Sequence, residues 1–220
     1  RNLKINLNNF SIKPIGLGKN NRTYLVSTFE KKYLAKFYFY SSQDKRDRLN
    51  NEFNFLEYVK GIGLKNVPEP ILKSESYKLG IYEFIEGRAF CSGDISEKKI
   101  IDAASFFSSI NNNNYIEKAK KLNFASDAFL DFSESISQIE LRISALEDAL
   151  KIENKNEEAV EFTFSLKKIW FKVKDDLNKN KGFIISNKTL CVSPSDFGFH
   201  NTLISKNQLF FVDFEYAGLD

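Results

Sequence analysis

Between residues 10 and 40, apolar and aromatic side chains arrive in short runs broken by Gly, Asn and Lys, the pattern of strands joined by turns. "FSIKPI" and "RTYLVSTF" flank the Gly-containing "GLGKNN", and "EKK" leads into "YLAKFYFY", whose aromatic residues suit a pleated surface. Three antiparallel strands are the simplest reading. From Asp44 to Lys60 the period changes: Leu49, Phe53, Leu56 and Val59 recur at spacings of three and four, as one face of an amphipathic helix requires, and "GIG" ends it. "ILKSESY" and "LGIYEFI", after "VPEP", are two further strands. The pattern up to Glu86 therefore predicts a five-stranded antiparallel sheet carrying one helix.

At "EGR" the character of the chain shifts. Ile100, Ala103, Ala104 and Phe107 are helically spaced, and residues 127–150 and 157–178 repeat that behaviour. Near the end "TLCVS", "NTLIS" and "QLFFVDF" are short β runs, with "KNQ" a hairpin turn. The prediction is an α+β protein of two lobes, a mainly strand lobe over 1–86 and a mainly helical one over 87–220.

Composition narrows the function classes. At 42% hydrophobic and 15% aromatic residues, 220 residues bury a core without staples. Cys91 and Cys191 stand in no metal-ligand spacing, which points to a reduced, cytoplasmic setting. No apolar run is long enough to span a membrane, and the net charge of +3 is spread without a basic block, so neither a membrane nor a nucleic-acid partner is implied. The chain has no Met and stops at "YAGLD", just after a strand-like run, so a part missing at the C-terminus is expected.

Three constellations carry candidate chemistry. In "IGLGKNNRTYLV", Gly16 and Gly18 remove side chains that would keep backbone N–H groups from phosphate oxygens. The turn lacks the Lys-Ser/Thr ending of a P-loop and opens a strand, so a plain hairpin fits the same residues. Lys36 lies inside a strand between large apolar neighbours, where a Lys is ordinarily solvent-facing. Glu52, sixteen residues later on the following helix, changes that reading, because a Glu packed on the sheet would hold the ammonium toward phosphates. Finally, "CVSPSDFGFHN" places Asp196 five residues before Asn201, and Asp213 ends the apolar strand "LFFVDF". An Asn amide and an Asp carboxylate converging from neighbouring strands suit Mg²⁺, leaving Asp196 unpaired to deprotonate a hydroxyl. Each residue alone is equally at home in an Asx-turn or a cap.

In that order, the motifs resemble the aminoglycoside phosphotransferase and choline kinase group, whose fold is similar to that of protein kinases. The resemblance runs from the Gly-rich turn through "AKFYF", the Glu52 helix, "YEFIEG" and D-x4-N to "VDFEYAG". It implies ATP and Mg²⁺ as cofactors and transfer of a phosphoryl group to a small-molecule hydroxyl. Backbone around Gly16, Gly18, Asn20 and Asn21 would cover the phosphates, and Lys36, fixed by Glu52, would contact them. Main-chain groups from Glu83 to Ile85 would take the adenine. Asp196 would be the catalytic base, and Asn201 and Asp213 would hold magnesium.

Two departures from the family pattern stand out. Pro194 occupies the place of a His two residues before the catalytic Asp, and Gly198 that of another, while His200 precedes the Asn as a candidate buttress of the loop. Ten acidic residues against three basic ones between Asp127 and Glu161 would suit a cationic amino-alcohol or aminosugar, or simply form a solvated surface. Trp170 and Phe171 read as core rather than as a cation cage. The rival function is a non-catalytic nucleotide-binding or interaction module on the same fold.

Overall fold

A computed structural model of the chain describes residues 10–16, 21–41, 44, 46–129, 132–152, 156–179 and 190–220. The architecture is α+β. Strands β1 (Ser11–Pro14), β2 (Arg22–Ser27) and β3 (Lys32–Phe37) form a meander, and helix α1 (Arg48–Gly61) separates them from β4 (Pro70–Ser74) and β5 (Leu79–Glu83). All pairings are antiparallel, and the order β1-β2-β3-β5-β4 puts β3 at the centre. The five strands and the helix are those the periodicity predicts. Arg48, not the expected Asp44, opens the helix.

After β5 the chain forms β6 (Arg88–Ala89), α2 (Glu97–Ile110) and α3 (Ile116–Ala119), then the long helices α4 (Phe132–Ile152) and α5 (Glu157–Lys179). It ends in β7 (Val192–Ser193), β8 (Thr202–Ser205), β9 (Gln208–Phe211) and β10 (Gly218–Leu219). Lys206 and Asn207 both take left-handed φ, +48° and +63°, the requirement of a two-residue hairpin turn matched to strand twist. β6 joins the β8–β9 hairpin, and β10 pairs with β7. β7 falls within the predicted "TLCVS" run, whereas β6 and β10, two residues each, carry no periodicity, so the sequence pattern misses them.

Two compact units result: one from residues up to Ala128 together with Leu190–Asp220, the other spanning Phe129–Thr189. The lobe boundary read from the sequence at "EGR" falls inside the first. In that unit α1 is buried on most of its circumference: Leu49, Glu52, Phe53, Phe55, Leu56 and Val59 all lie inside. Phe55 packs on Phe214, 4.6 Å between ring centroids, and the Tyr58 hydroxyl donates to Ile110 O at 2.6 Å, closing α1 against the end of α2. α2 turns Phe106 and Ile110 inward, whereas Ile100 and Phe107, on the face predicted as apolar, are exposed. In the second unit α4 and α5 are tied by Lys167–Glu147 and Lys174–Glu140. Phe171 is 75% exposed, so it is not the core residue expected of it.

Phe55 is fully buried in the core against Phe214. Phe55→Ala is therefore expected to destabilise the protein by about 3–5 kcal/mol, measured by urea unfolding; a loss below about 1 kcal/mol would contradict this packing.

Candidate functional site

Lys36 sits mid-strand in β3, with Thr23 of β2 and Gly80 of β5 as its cross-strand partners. Small neighbours on both sides leave its side chain room to reach under α1. Its ammonium meets three carboxylates: Glu52 Oε2 at 2.7 Å, Asp213 Oδ1 at 2.5 Å and Glu215 Oε2 at 3.5 Å. Lys36, Glu52 and Glu215 are each only 5% exposed, while Asp213 faces solvent in part. Burial by itself lowers a Lys pKa, but here Glu52, Asp213 and Glu215 outweigh it and hold the ammonium above its ordinary value. Burial pushes the Glu52 carboxyl up, against the pull of Lys36. Both its oxygens are engaged: the Tyr38 hydroxyl donates to Oε2 at 2.6 Å and the Phe214 N–H to Oε1 at 3.4 Å. With its proton on Glu52, Tyr38 accepts from the Tyr82 hydroxyl at 2.6 Å.

A second cation backs the cluster. Arg48, 2% exposed and one helical turn before Glu52, lies 3.5 Å through Nε from Glu215 Oε1. Its other nitrogens donate to Asp44 Oδ2 at 2.6 Å and Phe39 O at 3.2 Å. The opposite oxygen of Glu215 accepts from Asn21 Nδ2, and Asn21 Oδ1 accepts from the Phe39 N–H at 3.0 Å. Asn21 thus ties the entry to β2 both to the segment after β3 and to the chain that follows β9. At the first edge of the Gly-rich turn Gly16 has φ +83°, a conformation that favours glycine. Gly18 and Asn20 lie outside the described residues. A cavity of about 390 Å³ opens onto Gly16, Lys36, Glu52, Tyr82, Asp213 and Glu215.

Glu83 and Ile85 stand at and beyond the end of β5, outside the lining of that cavity. The Glu83 N–H donates to Glu69 O at 2.9 Å and the Phe84 N–H to Lys32 O at 3.4 Å. Among the described residues no backbone bond engages the Ile85 N–H.

The Asp196 loop is anchored by alternation. Phe197 packs on Phe106 and Phe211 at 5.5 and 4.9 Å, and Phe199 stacks on Phe90 at 4.2 Å, so Asp196 and His200 face out. Pro194 is buried at the loop's entry, and Asn111 brackets Val192 by accepting its N–H at 2.7 Å and donating to its carbonyl at 3.0 Å. Asp196 is not the unpaired carboxylate read from the sequence. Asn201 Nδ2 donates to its main-chain O at 2.9 Å and to Oδ2 at 3.3 Å, and His200 lies 3.0 Å from Oδ1. The Val212 N–H, donating to Asn201 O at 3.0 Å, ties this loop to the strand end that carries Asp213. Asp213 takes φ +68°, an uncommon conformation that aims its carboxylate at Lys36 while Phe214 enters the core.

The sequence reading missed Glu215, Arg48, Tyr38 and Tyr82. A signal existed for one of them: Arg48 is four residues before Glu52 on a helix, so it shares a face with a residue already singled out.

Residues 11–220 match the model of the phosphotransferase enzyme family. The fold is similar to that of a choline kinase from Cryptosporidium parvum Iowa II, at 17% identity and a TM-score of 0.62, over 99% of this chain and 61% of that one. It is also similar to choline kinase LicA from Streptococcus pneumoniae, at 21% identity and 0.59, over 95% and 64%. A spectinomycin phosphotransferase solved with ADP and spectinomycin aligns at 13% and 0.59, over 98% and 66%. The chain thus spans less than two thirds of the length of each of these proteins. No curated protein matches it significantly.

Arg46, and after it Arg48, hold the Asp44 carboxyl well below its ordinary range by hydrogen bonding, against the opposing effect of partial burial. A depressed carboxylate stabilises the fold fully above its unfolded pKa and loses that contribution as the pH falls below about 4. Asp44→Asn is therefore expected to lower the melting temperature at pH 7, with the gap to wild type narrowing toward pH 3. A gap that stays constant with pH contradicts the assignment.

Proposed function

Since the chain belongs to the phosphotransferase enzyme family, we propose that it transfers the γ-phosphate of ATP, with Mg²⁺, to a hydroxyl group of a small molecule. The observation that carries this reading is the buried Lys36 ammonium, held by Glu52 and Asp213 at the wall of an open cavity. A Lys so fixed is a preorganised point charge for phosphate oxygens, and phosphoryl transfer depends mainly on positioning and charge neutralisation. Gly16 and Asn21, with Gly18 and Asn20 between them, would bring backbone N–H groups over the phosphates. Main-chain groups at Glu83 and Ile85 would take the adenine edge. On this reading residues 1–86 form the ATP-binding lobe and 87–220 carry the acceptor chemistry.

The donor set fits magnesium. Asn201 spends its amide N–H on Asp196, leaving its carbonyl oxygen for a hard cation, and the part-exposed Asp213 carboxylate follows the strand bonded to it. Bound there, the ion neutralises charge on the phosphates. Asp196 accepts the acceptor's hydroxyl proton, the freed oxygen forms the bond to the γ-phosphorus, and the bond to the β–γ bridging oxygen breaks, leaving ADP. The acceptor is proposed as an amino-alcohol, sugar or aminoglycoside-like molecule. Acidity of α4 is weak support for a cationic one, since Glu140 and Glu147 are already paired with Lys174 and Lys167. Unpaired Cys91 and Cys191 support a cytoplasmic setting.

Saturating MgATP is expected to raise the melting temperature, since a ligand at a hundred times its Kd adds about 2.7 kcal/mol to the native state. Asp213→Ala and the isosteric Asp213→Asn should remove most of that shift. Asp196→Ala should keep it yet abolish transfer. A wild-type protein with no shift sinks the proposal; one that binds MgATP but phosphorylates no amino-alcohol, sugar or aminoglycoside supports the non-catalytic alternative.

A further inference from the structure

We infer that His200 is a positioning residue for Asp196, fixing the rotamer in which the carboxylate takes a proton; the inference rests on the function proposed above. Two independent observations meet at this side chain. The first is contact: His200 Nε2 lies 3.0 Å from Asp196 Oδ1. A carboxylate only accepts, so the imidazole donates through Nε2–H. Asn201 approaches the other oxygen, Oδ2, at 3.3 Å. Together the two donors grip the carboxylate from both sides and remove its rotational freedom.

The second is space. Gly198 has φ −172°, extended backbone that any residue adopts, so conformation does not call for glycine there. Room does: a Cβ at this position would lie 2.8 Å from His200 Cε1 and Nδ1. The imidazole lies over the vacancy that glycine leaves, in contact distance of Asp196. The chain that has Gly where the family pattern has a His thus supplies its only His two residues later, and the missing side chain at 198 is what admits the ring.

The turn holding the ring is fixed separately. Gly198 O accepts from the Asn201 N–H at 3.1 Å and from the Thr202 hydroxyl at 3.0 Å, and Phe199 is stacked on Phe90. Both partners of the His–Asp pair are more than half exposed, so the pair contributes little to stability. What it contributes is direction. A carboxylate that must meet a hydroxyl within hydrogen-bond reach gains from being held before the acceptor arrives.

The test uses the full chain, with MgATP as donor and water and choline as acceptors. His200→Ala is expected to lower kcat about tenfold, short of the roughly 10²- to 10⁴-fold that a positioned proton acceptor supplies, with KM for ATP and the melting temperature unchanged. His200→Gln, whose Nε2 reaches the same oxygen, should restore most of the rate, and Gly198→Ala, which displaces the ring, should reproduce the loss. Because the protein has one His, its ¹⁵N imidazole signals at pH 8.5 are unambiguous: the Nε2–H tautomer is expected, shifted by Asp196→Ala. An active wild type with unaltered kcat in His200→Ala, or an Nδ1–H tautomer indifferent to Asp196→Ala, overturns the inference alone. A wild type that transfers phosphate to neither acceptor and binds no MgATP overturns the proposed function, and this inference with it.

Discussion

A Lys ammonium taken out of water loses several kcal/mol of hydration unless carboxylates replace it, and Lys36 is nearly dry. Glu52 arrives from α1, and Asp213 and Glu215 from the chain leaving β9. One cation therefore constrains where a helix crosses the sheet and where a distant strand end must lie. If either carrier moved, the remaining charges would be left buried and unmatched, which is far less favourable than a neutral core. The cluster does not balance on Lys36 alone, since one ammonium faces three carboxylates. Arg48 enters on the far side of Glu215 and supplies a second positive charge, itself held by Asp44 and by the Phe39 carbonyl. The remaining negative charge, concentrated at the exposed end on Asp213, is where a divalent cation would be favoured under the proposed function.

Hydrogen bonding carries this order outward. Tyr82 donates to Tyr38, Tyr38 to Glu52, and Glu52 accepts from Lys36, so the cavity wall and the buried cation belong to one chain of hydrogen bonds. Burial raises the pKa of both phenols, which keeps them protonated and the direction of donation unambiguous. On the other side, the Asp196 loop is set by aromatic packing rather than by charge. Phe197 and Phe199 pack on the core, and Asp196 and His200 on either side of them are left at the surface.

Much of this was legible in the sequence, and the limits have physical reasons. Lys36 and Glu52 were readable as a pair because a strand followed by a packed helix leaves few places for a buried Lys to find a partner. D-x4-N and V-D-F were readable because turn residues interrupt apolar runs there. Glu215 and Arg48 were not singled out, since a buried charge and a solvated one look alike in one dimension; the helical turn from Glu52 distinguishes Arg48, and nothing periodic distinguishes Glu215, which follows the left-handed Asp213. Helical spacing correctly predicted α2, yet the face it buries is that of Phe106 and Ile110, because the spacing of Ile100 and Phe107 fits a helix without saying which stripe has a neighbour. β6 and β10 are too short for any period to show.

The two halves of the site differ in how they are held, and the difference follows from what each would touch. Lys36, Glu52 and Glu215 are locked in a dry network whose three members come from β3, α1 and the chain leaving β9, so their geometry changes only if the fold does. Asp196, His200 and Asn201 are bound to one another within a single turn, exposed, and tied to the core by Phe197, Phe199 and the bond from Val212 to Asn201. Under the proposed function the phosphates of a common donor would call for an invariant cradle, which a buried ion cluster would provide. A hydroxyl acceptor would, under the same function, have to enter and leave, so a group taking its proton would have to be reached from solvent. Orientation there cannot come from burial, which leaves local hydrogen bonds as the means of supplying it.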